Sequence, residues 1–437
     1  MKNKFLKSAI LLIIGGFITK IISMFIKIVL ARMLGPEGMG LYMLISPTFM
    51  LLIAISQLGF PIAISKLVAE EKRSSKNLVL ISIITSLILN VFIIIFLFMT
   101  SNFISQNLLN EPRCKYAISC IGLVLPLISI SSILRGYFFG KQKMIPHILS
   151  NITEDIVRLI ALIIGIPIFL KNGLEYAVAF IVLVNIISEF TSIIVLFLFL
   201  PKKIKIEKKD LNKKDIKEIL NIGIPATLSR IIGIIGFFFE PIILTYVLLK
   251  CGYENKYIIN EYGIINGYIM PLVLLPSFFT LAISEALIPN ISKAQSEKNY
   301  KYIKSKLKQA IFLSLLIGIP ATLIFEIVPE IPMKLIYNTK EGIEYIKVFA
   351  IIALMHYIQS PLTSTLQAMG KAKEAMNGTL IGTIARVISL YIFSYFKIGL
   401  WSLIIASSFN IIITTIHQYI HIKKALKVCY NKKGYVK

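Results

Sequence analysis

Four stretches of the chain, 77–110, 262–284, 348–370 and 398–422, run for more than 20 residues each without one Lys, Arg, Asp or Glu. A helix of about 20 apolar residues spans a hydrocarbon core of roughly 30 Å, so each run is long enough to cross a bilayer. Eight further apolar runs fall near 8–30, 39–58, 116–139, 146–170, 174–200, 218–249, 307–328 and 373–396, which makes twelve. Outer-membrane barrel strands are shorter and alternate apolar with polar residues, unlike these Ile/Leu/Phe runs. The expected fold is therefore an all-α integral membrane protein with twelve transmembrane helices. Composition agrees: 56% of the residues are hydrophobic and 16% charged, which excludes a soluble globular chain, a disordered chain and a disulfide-stapled secreted scaffold.

The net charge of +25 would suit a nucleic-acid binder, but its distribution points elsewhere. With the N-terminus placed in the cytoplasm, the inner connections and tails hold 31 basic residues and the outer connections 10, the remaining six lying inside spans. Lys and Arg accumulate in cytoplasmic loops, so the count predicts a protein of the cytoplasmic membrane with both termini inside. Topology and anionic headgroups then account for the excess base, and no nucleic-acid partner is expected. The first span lacks a small-residue cleavage site and is expected to be retained.

The longest basic connection, 202–218, follows the sixth span and divides the chain into two sets of six. The expected organisation is an N-terminal lobe over 1–200, a cytoplasmic basic linker over 201–217, a C-terminal lobe over 218–422 and a basic tail over 423–437. Three matches recur in the same order in both halves. Thr19-Lys20-Ile21-Ile22 answers Ser229-Arg230-Ile231-Ile232, Ala63-Ile64-Ser65 answers Ala282-Ile283-Ser284, and Gly140-Lys141 with Lys143 answers Gly370-Lys371 with Lys373. Each match is weak alone; the fixed order carries the inference of a duplicated unit. Because six is even, both copies start on the same side, which predicts a pseudo-twofold axis along the membrane normal.

Six basic residues fall inside spans: Lys20, Lys27, Arg135, Arg158, Arg230 and Arg386. At the bilayer centre each costs on the order of 3 kcal/mol on insertion scales, so each needs a partner, a route to the interface or a function. Arg158 follows Glu154 and Asp155 by four and three residues, on one helix face, and an ion pair is expected. Lys27 and Arg135 lie near span ends, where snorkelling and a place in a cavity compete evenly. Lys20 and Arg230 sit well inside their spans without an acidic neighbour at helical spacing, at equivalent positions of the repeat. They predict a cationic cavity for an anion such as a diphosphate, with Arg386 a further member. Among the acids, Glu189 and Glu240 lie inside spans, and both are candidates for coupling or for a hinge. Glu240 precedes Pro241 at a polar, kinked point, which leaves open a hinge, a coupling-ion ligand or a partner for a basic residue.

No catalytic constellation, metal site or cofactor motif is visible. The four histidines never combine with Cys or carboxylate at ligand spacing, His417 and His421 reading as an interface pair, and there is no GxxxxGK[ST] loop. The four cysteines show no CxxC. Enzymatic activity is not expected.

The stretches KFLKSAILLIIGGFITKIISMFIKIVLARMLGPEGMGLY (4–42), QLGFPIAISKLVAE (57–70), LRGYFFGKQ (134–142) and PSFFTLAISEALIPNISKAQ (276–295) resemble the stage V sporulation protein B branch of the polysaccharide and lipid II flippases. These belong to the multidrug/oligosaccharidyl-lipid/polysaccharide exporter (MOP) superfamily, and the resemblance covers most of the chain. It implies a flippase that carries an undecaprenyl-diphosphate-linked sugar precursor across the cytoplasmic membrane by alternating access, with spore-cortex peptidoglycan as the destination. It further implies that Lys20 takes the place of the Arg that follows Ser in the first span of the lipid II flippases, with Lys27 near their second basic position. Their Arg in the eighth span has no counterpart, since 262–284 is uncharged. Many members carry fourteen spans, two of which form a groove for the lipid tail, against twelve here.

The expected mechanism places the sugar-diphosphate headgroup against Lys20 and Arg230, with Lys27, Arg135 and Arg386 in support, while Pro47, Pro126, Pro225, Pro241 and Pro271 provide bending points. Two rivals remain. A cation-coupled multidrug antiporter would rely on buried carboxylates, against which the excess of intramembrane base argues. A non-transporting scaffold would recruit cell-wall synthesis proteins through its Lys-rich connections.

Overall fold

The computed structural model describes residues 2–71, 74–200 and 213–433, with backbone alone for 2–13, 213–214, 229 and 427–433. Residues 201–212, most of the expected linker, lie outside the described residues. Fifteen α-helices follow in order: α1 (Lys2–Gln57), α2 (Phe60–Ala69), α3 (Ser75–Phe103), α4 (Lys115–Gly140), α5 (Met144–Leu170), α6 (Leu174–Leu198), α7 (Lys213–Lys250), α8 (Asn255–Gly263), α9 (Met270–Val273), α10 (Ser277–Ser296), α11 (Tyr300–Ile327), α12 (Glu330–Tyr337), α13 (Ile343–Ala368), α14 (Ala372–Ser394) and α15 (Trp401–Lys433).

Among the described residues nine helical segments are long and apolar enough to cross a membrane, and a tenth span is made by residues 255–273 and 277–296, bent by 50° at their junction. The count reaches the twelve expected when two features are included. Helix α1 breaks at Gly35, whose φ of 68° no longer continues a helix; Pro36 follows, disfavouring helix at the residue before it, so α1 is two spans in sequence. Helix α5 has the length of a span and is held back only by its charges.

The chain divides into two compact units, Met1–Ile242 and Ile243–Lys437. The division falls inside α7, one residue past Pro241, so the first part of that helix packs with the first unit. Ile219 of α7 joins Phe60, Ala63, Ile64, Leu67 and Val68 of α2, Leu78 and Ile81 of α3 and Ile133 of α4 in one buried cluster.

Small residues let the backbones approach in the first unit. A Cβ on Gly136 would lie 2.6 Å from the Pro61 carbonyl, one on Gly140 2.8 Å from that of Ser65, and one on Gly59 within 2.3 Å of that of Gly223. Gly59 has φ 64°, a backbone state that only glycine adopts cheaply, and it opens α2 with Pro61 in the first turn. At the other end, Arg113 ties the start of α4 to the second arm of α1 through Glu37 (2.7 Å) and holds Glu111 (2.8 Å).

Polarity is arranged inside out, as lipid requires. Phe92, Ile95, Phe96 and Met99 of α3 are exposed, while Ser82, Ser86 and Asn90 on its opposite face are buried. Asn90 donates to Ser129 of α4 (3.1 Å), which meets Ser56 of α1 (2.6 Å). The second unit repeats the pattern: Phe312, Leu316, Leu323 and Ile327 of α11 are exposed. Leu307, Leu362, Leu366, Ala375 and Ile422 from α11, α13, α14 and α15 form its buried core.

Candidate functional site

The intramembrane charges of the first unit fall into two sets of opposite character. The first is a buried ionic cluster on α4, α5 and α6. Arg135 sits one helical turn beyond Ser131, Arg158 one turn beyond Glu154, and Ser192 three residues beyond Glu189, so each helix turns one polar face inward. Glu154 lies between the two guanidiniums and accepts a short hydrogen bond from Nη2 of each. Arg135 also donates to Ser192 Oγ at 2.7 Å and lies 3.7 Å from Glu189 Oε2. Arg158 reaches Asp155 Oδ1 at 3.3 Å. Glu154, Asp155 and Glu189 are all buried. The pairing of Arg158 expected from helical spacing is present.

The second set is cationic and open. Lys20 and Lys27, seven residues and two helical turns apart on the first arm of α1, are both exposed. Neither makes an ion pair among the described residues. Arg230, also exposed, donates from Nη1 to Oε1 of Gln57 at 2.5 Å, at the corner where α1 ends and Gly59 packs on Gly223. All three belong to the first unit.

Of the other positions named from the sequence, Arg135 and Glu189, assigned there to different roles, stand side by side in the ionic cluster. Glu240 and Pro241 are buried within α7, and Arg386 is half-buried on α14 of the second unit. Sequence reasoning missed Ser192 and the role of Glu154 as the bridge between two arginines. The signal available was the polar spacing within each of α4, α5 and α6; the pairing among helices was not visible.

The profile of the family described as Polysaccharide biosynthesis protein matches residues 5–295, more than half of the chain. The chain belongs to this family. A second profile, MatE, matches residues 266–392. The chain is 34% identical to Stage V sporulation protein B of Bacillus subtilis (strain 168) over 99% of this chain and 86% of that protein. It is 22% identical to Lipid II flippase MurJ of the same organism, over 89% of this chain and 77% of that protein. In fold it is similar to a multidrug resistance MATE family transporter of the MOP superfamily in an inward-facing conformation, with TM-score 0.78 and 17% identity over 94% of this chain and 96% of that one. The family member described here is thus a multi-pass membrane transporter or flippase of the MOP superfamily, not an enzyme. The resemblance read from the motifs of 4–42, 57–70, 134–142 and 276–295 holds.

Proposed function

We propose that this protein is a flippase for an undecaprenyl-diphosphate-linked sugar precursor, lipid II or a close relative serving cell-wall or spore-cortex peptidoglycan, and that it works by alternating access in the cytoplasmic membrane with both termini inside. The observation that carries the reading is the uneven neutralisation of intramembrane charge. The cluster of α4 to α6 satisfies its own guanidiniums with carboxylates, whereas Lys20, Lys27 and Arg230 stand exposed and, among the described residues, without an acid. Exposed cations in a spanning segment are costly unless an anion arrives, and a diphosphate supplies charge and acceptor oxygens together. Lys20 and Arg230 are the main contacts and Lys27 the auxiliary one, while Arg135 ties α4 to α5 and α6. Relatives named for lipid II flipping and for sporulation support the substrate class, and the lysine-rich connections support the orientation.

The test is binding of lipid II by the purified protein, with undecaprenyl phosphate and a neutral lipid as controls, for the wild type and a Lys20→Ala, Arg230→Ala double variant. Binding to lipid II that the double variant loses is expected. Equal binding by both folded proteins would remove these residues from the site. Uptake of cationic drugs by the wild type without lipid II binding would favour antiport.

A further inference from the structure

The ionic cluster of the first unit contains three carboxylates, Glu154, Asp155 and Glu189, and two guanidiniums, Arg135 and Arg158. Fully ionised, it would bury one uncompensated negative charge among spanning helices, where a lone charge is far costlier than a neutral acid. The geometry shows which carboxylate is in excess. Glu154 takes a hydrogen bond from both guanidiniums, and Asp155 takes one from Arg158. Glu189 takes none from either: its nearest approach is 3.7 Å to Arg135 Nη2, which is already committed to Glu154 and Ser192. Glu189 is only 5% exposed, and its Oε2 is buried without a hydrogen-bond partner.

We propose that Glu189 is a proton-binding site of the transporter, holding one proton at neutral pH and so bringing the cluster to charge balance. The charged and titratable groups around it are Arg135 from α4, Glu154, Asp155, Arg158 and His147 from α5, and Tyr42 from the second arm of α1, which faces Arg158. Ser131 adds a hydroxyl beside Glu189. A proton satisfies the site better than a metal ion, because the Arg135 guanidinium beside Oε2 repels any added cation while a neutral carboxyl can rest against it. The site lies apart from Lys20 and Arg230 in sequence and character, and it holds whichever substrate the protein carries.

Replacing each carboxylate by its amide in the full-length protein, reconstituted in nanodiscs, separates the three. Glu189→Gln swaps one neutral group for another of the same shape, so its melting temperature at neutral pH should match the wild type. Glu154→Gln and Asp155→Asn remove ionised partners and should lower it clearly. The same samples examined by infrared difference spectroscopy should show, in the wild type, the C=O band of a protonated carboxylic acid that disappears in Glu189→Gln. Should Glu154→Gln or Asp155→Asn fail to fold, the infrared comparison of wild type and Glu189→Gln still decides. The proposal is overturned if Glu189→Gln melts as low as Glu154→Gln, if Asp155→Asn is the silent variant, or if the acid band persists in Glu189→Gln.

Discussion

The buried cluster of α4 to α6 and the open face of α1 and α7 are two solutions to charge inside a membrane. In the first, Arg135 and Arg158 are surrounded by Glu154, Asp155 and Glu189, and the charges serve the packing of three helices. In the second, Lys20, Lys27 and Arg230 are exposed, and the contact Arg230 makes is with a neutral amide, Gln57. The difference teaches that an intramembrane base is not a site by itself. What marks one is the lack of an acid that would make it redundant to a ligand. Mutations in the two regions should therefore separate stability from binding.

The largest effect belongs to the cluster. Removing one partner of a buried ion pair costs about 3–5 kcal/mol because the other charge is left behind, so Arg135→Leu should lower the melting temperature strongly while the protein that stays folded still binds lipid-linked diphosphate. Thermal unfolding in detergent, followed by a binding assay on the folded fraction, checks both halves. An Arg135→Leu variant of native stability that no longer binds would move this arginine to the open set.

Next in size is the corner that carries Arg230. Gly59→Ala forces a side chain into the left-handed region, about 1–2 kcal/mol, and against the Gly223 carbonyl, with overpacking of about 1–3 kcal/mol. It should weaken both stability and binding, because the corner that holds Gln57 beside Arg230 shifts. The Lys20→Ala, Arg230→Ala pair should do the reverse of Arg135→Leu. Exposed positions change stability by no more than about 0.5 kcal/mol, but losing both cations should weaken diphosphate binding by tenfold or more, about 1.4 kcal/mol, measured by lipid titration of the two proteins.

Much of this was legible in the sequence. Charge-free runs gave the spans because a bilayer imposes a length, and even the break in α1 is written as Gly35-Pro36. The segments that carried the family resemblance prove to be packing devices: Gly59, Pro61 and Ser65 of QLGFPIAISKLVAE meet Gly223, Gly136 and Gly140 respectively, the last two from LRGYFFGKQ. Within one helix, spacing gave Arg158 its partners. What stayed hidden were the pairings between helices. Arg135 finds Glu154 and Ser192 at separations of 19 and 57 residues, and no local periodicity carries that information. Its place near a span end left a route to water and a place in a cavity equally open, and the fold gives it buried acids.

The smallest effect is the most discriminating for the open set. Gln57 accepts a hydrogen bond from Arg230, at 2.5 Å on an exposed surface, where such contacts are worth about 0.2–1 kcal/mol. Gln57→Ala should leave the melting temperature unchanged and weaken diphosphate binding by a factor of no more than ~5, since the guanidinium keeps its charge and loses only its orientation. Because the remaining attraction is between exposed charges, it should fall off more steeply with added salt than in the wild type. Titrations of both proteins at low and high ionic strength make the comparison. A loss as large as that of Arg230→Ala would mean that geometry, not charge, selects the ligand. Tighter binding would mean that Gln57 occupies the guanidinium until the diphosphate displaces it.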